Sequence, residues 1–414
     1  MAVLCVVVTV YGCRERVASS EAAPPGDGND VEASDAVRAE GVRRGGAAAR
    51  DTAGASPPFF TDIAQAARLV FAHDAGVDGT YYLPEHLASG AALLDYDGDG
   101  DLDIYVINGA DHAHRSDTPP VNRLFRREPD GTYLDRTAES GLGDPGYGMG
   151  VAVGDYDNDG FVDVYITNYG PDKLYRNSGD GTFTDVTAQA GIANARWSCS
   201  ASFVDYDLDG FLDIYVGNYL YYPKPKPCTD GAGRPEYCGP QTCPPEPDVL
   251  FHNNGDGTFH DVSEPSGIAS VRDRALGVVC DDFNGDDWPD IFVANDGGPN
   301  FLWINNRDGT FVQSSLLAGV AVNRFGAAEA SMGVTVGDVD GDGDLDLFMT
   351  HLVHETNTLY RNVGAAGFQD VSAACGLGVS SLKYTGFGTA FFDFDHDGLL
   401  DLAVVNGRVR RGPI

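Results

Sequence analysis

The stretch Asp155-Tyr156-Asp157-Asn158-Asp159-Gly160-Phe161-Val162-Asp163 decides how this chain is read. Carboxylates stand at positions 1, 3, 5 and 9 of a nine-residue loop, with glycine at position 6. A hard cation needs several oxygens converging from a few residues, and glycine lets the backbone turn tightly around it. The loop runs into Val164-Tyr165-Ile166-Thr167-Asn168, a β-branched and aromatic run that reads as a buried strand.

The same pattern recurs at Asp95, Asp97, Asp99 and Asp103, and at Asp205, Asp207, Asp209 and Asp213. Further copies are Asp338, Asp340, Asp342 and Asp346, and Asp393, Asp395, Asp397 and Asp401. A degenerate copy has Asp282, Asn284, Asp286 and Asp290, with Asp287 where the others carry glycine. The first aspartates are 60, 50, 77, 56 and 55 residues apart. Four short strands and their turns need about that length, the size of one propeller blade. Calcium-binding solenoids repeat about every nine residues, so the long period argues against them.

Each unit reads as a Phe-x-Asp strand, a Gly-containing strand, the Asp loop, a hydrophobic strand ending in Asn and a Leu-Tyr-Arg-Asn strand. The ending Asn is Asn108, Asn168, Asn218, Asn295 and Asn406, with His351 in the fifth copy. Asp130-Gly131, Asp180-Gly181, Asp256-Gly257 and Asp308-Gly309 are tight-turn signals, because such turns need φ > 0. Phe59-Phe60-Thr61-Asp62-Ile63 matches Phe183-Thr184-Asp185-Val186-Thr187 and is expected to be an outer strand that completes the last blade. After Asn406 no sixth Leu-Tyr-Arg-Asn strand follows. The expectation is an all-β chain: a β-propeller over residues 59–414 with six Asp loops, six or seven blades, and a last blade that is short or cut.

Lys and Arg total 27 against 62 Asp and Glu, a net charge of −35. Six divalent ions would cancel twelve of these charges, leaving about −23. That surface argues against nucleic acid and anionic membranes as partners. Val3 to Val10 is an apolar run too short to span a membrane, and it fits the hydrophobic region of an export signal over residues 1–13. Tyr11-Gly12-Cys13 resembles the end of a bacterial lipobox, which implies lipidation at Cys13, although no Lys or Arg precedes the run. Residues 14–58, rich in Ala, Gly, Pro and Ser, read as a disordered tether.

Beyond Cys5 and Cys13, the cysteines are Cys199, Cys228, Cys238, Cys243, Cys280 and Cys375. Three fall in a Pro-rich insertion, 220–248, which accounts for the 77-residue spacing. In an exported chain a disulfide staple is expected there rather than zinc. Three is odd, so the pairing stays open, with Cys199 one candidate partner. The insertion is also the expected partner-binding surface.

These repeats resemble the FG-GAP (VCBS-type) repeats of integrin α-chain propellers. More closely they resemble the exported, ASPIC/UnbV-associated family similar to cartilage acidic protein 1, on Leu83-Pro84-Glu85 and Tyr237-Cys238-Gly239-Pro240 as well as on the loops. The resemblance spans about residues 57–407. It implies a cation held by loop positions 1, 3, 5 and 9 plus the backbone carbonyl at position 7. Those carbonyls would be Asp101, Phe161, Phe211, Asp344 and Leu399, with Trp288 in the degenerate loop, where a weak site is expected. The family's seventh repeat and C-terminal small domain are not found in this sequence.

The oxygen-rich loops favour Ca²⁺, up to six ions, over Mg²⁺, which keeps more of its waters. His351-Leu352-Val353-His354-Glu355 lacks the helical His-Glu-x-x-His order of a metallohydrolase and reads as ordinary loop. His73, His86, His112 and His114 read as surface or capping residues. No catalytic constellation stands out, so the expected function is non-enzymatic binding or adhesion to an extracellular protein or glycan at the cell surface. Any membrane attachment would be only through the N-terminal lipid. A polysaccharide-active enzyme built on a propeller, or a scaffold for a missing C-terminal domain, is the alternative.

Overall fold

The computed structural model describes residues 60–87, 89–110, 119–224 and 226–409. The proposed signal, Cys13, the tether, His112 and His114 lie outside the described residues. The first blade contains β1 (Ala91–Leu94), β2 (Asp103–Val106), β3 (Arg123–Arg127) and β4 (Tyr133–Asp135). The second contains β5 (Gly148–Gly154), β6 (Asp163–Asn168), β7 (Lys173–Asn177) and β8 (Phe183–Asp185). In the third, β9 (Ser198–Val204) and β10 (Asp213–Asn218) precede the insertion, whose own hairpin is β11 (Cys228–Thr229) and β12 (Pro235–Glu236). That blade ends with β13 (Val249–Asn253) and β14 (Phe259–Asp261). The fourth is β15 (Ala275–Asp281), β16 (Asp290–Asn295), β17 (Phe301–Asn305) and β18 (Phe311–Gln313). The fifth is β19 (Val334–Gly337), β20 (Asp346–Met349), β21 (Thr358–Asn362) and β22 (Phe368–Asp370). The sixth described sheet has two strands, β23 (Thr385–Phe392) and β24 (Asp401–Gly407).

All pairings are antiparallel and follow chain order within each blade. The fold is therefore all-β and built as propeller blades. Every residue of β6, β10 and β16 is buried, which explains why these second strands read as unbroken apolar runs rather than alternating ones. Between neighbouring blades lies a separate apolar layer. One layer joins Tyr105, Leu124, Val151 and Ile166, and the next joins Ala152, Tyr165, Phe203 and Val216.

Two expectations are corrected. The Phe-x-Asp element does not open a unit; it is the fourth strand of the sheet before it, since the Asp-Gly turn folds it straight back onto the Leu-Tyr-Arg-Asn strand. Asn177 pairs with Phe183, and Asn253 with Phe259. The glycines of these turns have φ of 78° to 83°. Residues 60–63 form no strand, and Phe60 and Ile63 are exposed. The sequence just ahead of them lacks the Leu-Tyr-Arg-Asn stretch and Asp-Gly turn that fold the other copies into a hairpin.

The Asn that ends the third strand ties blades together. Asn177 Nδ2 donates to the carbonyl of Tyr96, in the loop of the blade before, at 2.9 Å. Asn253 does the same to Tyr156 at 2.9 Å, Asn305 to Tyr206 at 2.8 Å and Asn362 to Phe283 at 3.0 Å. Each satisfies a carbonyl that burial would otherwise leave at a cost of about 1–3 kcal/mol.

Candidate metal centres

Each Asp loop connects the first and second strands of its blade, and its backbone is folded by its own carboxylates. The first aspartate accepts backbone N–H groups from positions 5 and 6. For Asp155 these are Asp159 at 3.1 Å and Gly160 at 2.9 Å; for Asp393, Asp397 at 3.0 Å and Gly398 at 2.9 Å. The position-5 carboxylate accepts the N–H of position 7 in all six loops, at Asp101, Phe161, Phe211, Trp288, Asp344 and Leu399. The ninth residue opens the second strand. Its carboxylate takes one N–H from position 2 and one from the third strand, as Asp163 does from Tyr156 (3.1 Å) and Asn177 (2.8 Å).

Position 3 has no such partner. One carboxylate oxygen of Asp97, of Asp157 and of Asp207 is closed to solvent and makes no hydrogen bond. Carboxylate oxygens of Asp95, Asp97 and Asp99 lie within 4.8 Å of one another, and so do those of Asp155, Asp157 and Asp163. Asp205, Asp207 and Asp209, and Asp338, Asp340 and Asp346, converge in the same way. Sealed, unpartnered, like-charged oxygens at this spacing fit a divalent cation, which would supply the missing partner.

The degenerate fourth loop keeps the same backbone cradle. Asp282 accepts from Gly285, Asp286 and Asp287 at 2.7–3.1 Å. Asp287 adopts φ 68° where the other loops have glycine, a conformation that aspartate tolerates better than most residues. The sixth loop is the open one. Asp401 is exposed, whereas Asp103, Asp163, Asp213, Asp290 and Asp346 are fully buried, because no third strand or following blade is described beside it.

Position 4 was not singled out by sequence reasoning. It is left-handed in all six loops: Gly98, Asn158, Leu208, Gly285, Gly341 and His396 have φ between 58° and 76°. Three glycines and one asparagine at that offset were the available signal. Asn158 also donates to the carbonyl of Gly210 in the next loop, at 2.8 Å.

Burial pushes the ninth-position carboxyls up, to about 8 for Asp163 and Asp213, about 7 for Asp290 and about 6 for Asp103. Their two backbone N–H bonds oppose this shift, and neighbouring loop carboxylates add to it. A raised folded-state pKa gives stability that is present below the unfolded value and lost as pH rises through the folded value. In EDTA the Tm should therefore fall by a few degrees between about pH 5 and pH 8. Saturating divalent ion should flatten that slope, and a slope unchanged by the ion in thermal melts would refute this account of the loops.

The insertion does not stand off the blades as an isolated arm. Leu220, Tyr222 and Cys243 are buried with Tyr82 and Leu83 against Trp197, Met332 and Phe387. It walls a cavity of about 930 Å³ whose lining includes Tyr237, Pro240, Leu276, Met332, Asp296 and Glu355. Tyr237 donates to Glu85 at 2.7 Å, and half-buried His86 packs on its ring at 3.5 Å between centroids. The disulfide joins Cys228 to Cys238 in this wall; buried Cys199, Cys243 and Cys280 and exposed Cys375 lie outside it. His351 is buried and neutral, its pKa lowered to about 4 by burial, and Glu355 accepts the N–H of Ala330 at 3.0 Å.

Blades of four antiparallel strands, each with an aspartate loop between its first two strands, define an aspartate-loop repeat propeller. The FG-GAP-like repeat model matches residues 95–166, 155–216, 230–293 and 282–349. These stretches take in more than half of the chain, which belongs to that repeat family. It is also 30% identical over 173 residues to cartilage acidic protein 1 of Xenopus tropicalis and of Homo sapiens. The alignment covers 41% of this chain and 26% of each of those proteins, so the match spans about a quarter of their length. Among solved structures, a lectin from Agrocybe aegerita that recognises non-reducing terminal N-acetylglucosamine aligns over 76% of this chain and 74% of its own, at 17% identity and a TM-score of 0.40. The rhamnogalacturonan lyase YesW aligns over 76% and 54%, at 15% identity and a TM-score of 0.39.

Proposed function

We propose that this is an exported calcium-binding repeat protein whose ion-stiffened blades hold a non-enzymatic binding site for a protein or glycan at the cell surface. The observation that carries the reading is the repeated position-3 oxygen, sealed from water and without a partner at Asp97, Asp157 and Asp207. Loops supplying four carboxylates suit the large, all-oxygen shell of Ca²⁺. The ligands are positions 1, 3, 5 and 9 of each loop, with the position-7 carbonyls proposed beside them. Bound ions would neutralise the clustered charge and fix each loop against the Asn tie of the next blade. Export accords with the Cys228–Cys238 disulfide, which persists in oxidising compartments. Lipidation at Cys13 remains part of the proposal.

The binding site we assign is the cavity walled by the insertion. Its two inner carboxylates are already engaged. Asp296 accepts the Tyr219 hydroxyl at 2.5 Å, and Glu355 accepts backbone N–H groups of Ala330 and Leu352. Such fixed acceptors suit recognition rather than proton transfer. The test is a glycan array and an envelope extract presented to immobilised protein in Ca²⁺ and eluted with EDTA. A ligand retained by the wild type and lost with Gln241→Trp, at the cavity rim, is the expected result. Retention unaffected by Gln241→Trp would remove the cavity from the proposal, and turnover of a bound polysaccharide would favour the enzyme reading.

A further inference from the structure

Before the last residue of the third strand, blades 1, 2 and 5 carry arginine (Arg126, Arg176 and Arg361), blade 4 carries Ile304 and blade 3 carries His252. Where β7 and β21 carry Leu-Tyr-Arg-Asn, β13 carries Leu-Phe-His-Asn over residues 250–253. In blades 2 and 5 the arginine sets its guanidinium against the position-3 carboxylate, Arg176 to Asp157 at 3.0 Å and Arg361 to Asp340 at 3.6 Å. In blade 3 that place belongs to His252. Its Nδ1 lies 3.4 Å from Asp207 Oδ2 and 3.2 Å from Asp213 Oδ1. The nitrogen is closed to solvent and makes no hydrogen bond with either oxygen, and Asp207 Oδ1 is likewise sealed and unpartnered. Donor atoms of Asp207, Asp213 and His252 all fall within 4.8 Å of one another.

These spacings select a class of ion. Two donors bound at about 2.0–2.1 Å, at angles between octahedral and tetrahedral, stand about 2.8–3.4 Å apart. The two measured nitrogen–oxygen separations fall in that range. Calcium bonds of about 2.4 Å would spread the donors to about 3.4–3.9 Å, and calcium prefers oxygen throughout. A guanidinium cannot give up its charge to become a ligand, whereas a neutral imidazole is the commonest protein nitrogen ligand. The donors are also held in place. Asp213 takes the N–H groups of Asn253 at 2.8 Å and Tyr206 at 3.2 Å, and the His252 ring packs edge-on against Tyr206 and His260. Outer contacts of this kind orient metal ligands.

We propose that blade 3 carries a mixed nitrogen–oxygen site for a first-row transition ion, held by His252 Nδ1 with carboxylate oxygens of Asp207 and Asp213. This rests on the reading of the Asp loops as metal sites, but it gives the third loop a different cargo from the others. Asp205 and Asp209 complete its surroundings.

The experiment uses the full chain with one equivalent of Mn²⁺ in millimolar Ca²⁺, so that the all-oxygen loops are filled by calcium. Pulsed electron paramagnetic resonance should show coupling of the Mn²⁺ to a single ¹⁴N nucleus. His252→Arg, the residue blades 1, 2 and 5 use, should abolish that coupling and weaken Mn²⁺ binding by at least about tenfold while leaving most of the Ca²⁺ heat of binding intact. His252→Gln serves as the second variant and should behave alike. A ¹⁴N signal that survives both substitutions, or Mn²⁺ bound with no nitrogen coupling, overturns the proposal even when calcium binds normally. Absence of both calcium heat and manganese binding would instead sink the loop reading on which it rests.

Discussion

Restoring about 5 mM Ca²⁺ to the EDTA-stripped protein should raise its Tm by about 10 °C. Extracellular calcium modules bind with dissociation constants of about 10⁻⁴–10⁻³ M. At about 0.5 mM, each site that exists only in the folded state adds about 1.4 kcal/mol under these conditions. Five loops end in a fully buried carboxylate, at Asp103, Asp163, Asp213, Asp290 and Asp346, and with calcium the one divalent ion restored the third loop counts with the others. Together they would add about 7 kcal/mol. An unfolding entropy of about 2.1 cal/mol/K per residue over roughly 350 residues turns this into about 10 °C. Asp155→Ala should remove about a fifth of the gain. It takes away the carboxylate that accepts the N–H groups of Asp159 and Gly160 as well as one ligand. Differential scanning calorimetry in EDTA and in Ca²⁺ decides the matter: identical melting temperatures would sink the calcium reading.

Much of this organisation was legible because one local chemistry repeats. A loop that must gather oxygens fixes its own residue pattern, and the interval between loops measured the blade. The position-9 aspartates were found because they are acidic, and the structure places each at the start of a second strand. Less could be read where the reason lies between distant segments. The Asn of the third strand was legible as part of the repeat, but not its tie from one blade to the loop of the blade before it. His252 stands where three other blades carry arginine, and its setting depends on two carboxylates of a loop separated from it by the whole insertion. The insertion itself was read as a partner-binding surface. That its apolar Leu220 and Tyr222 also bury against the inner strands is something no local pattern in a Pro-rich segment reveals. Cysteine pairing was equally closed to inspection, since Cys243 is spent on packing rather than on a bond.

Glycine in or just ahead of the innermost strands is part of the repeat, but its purpose is steric, and Gly333→Ala, immediately before β19, is the substitution expected to show it. A Cβ at this position would stand 1.9 Å from the backbone oxygen of Phe387 and 2.9 Å from its carbonyl carbon. Neither is the end of a flexible side chain. Thr350 Oγ1 donates to that same Phe387 oxygen at 2.7 Å and accepts the Gly333 N–H at 3.0 Å, so the three residues form the joint between the fifth blade and β23. Phe387 is 1% exposed and cannot swing outward without uncovering the inner cluster. Overpacking costs about 1–3 kcal/mol where side chains can adjust, and a backbone collision belongs at or above the top of that range. Gly333→Ala should therefore cost about 3 kcal/mol or more in urea unfolding and render β23 and β24 the first segment cut in limited proteolysis. Gly378→Ala separates this from any general effect of replacing glycine. It lies within the short helix Leu377–Ser381, where a Cβ meets only the Thr356 side chain, at 3.6 Å from Cγ2 and 3.8 Å from Cβ. There the loss of backbone freedom in the unfolded chain should stabilise by about 0.5–1 kcal/mol. If the two substitutions shift the unfolding midpoint alike, the close approach of strands at this joint is not what the glycine serves. A loss at Gly333 alone locates the requirement in the packing of one blade's inner backbone against the next, the same approach that Gly150 makes to Cys199 and Gly277 to Met332.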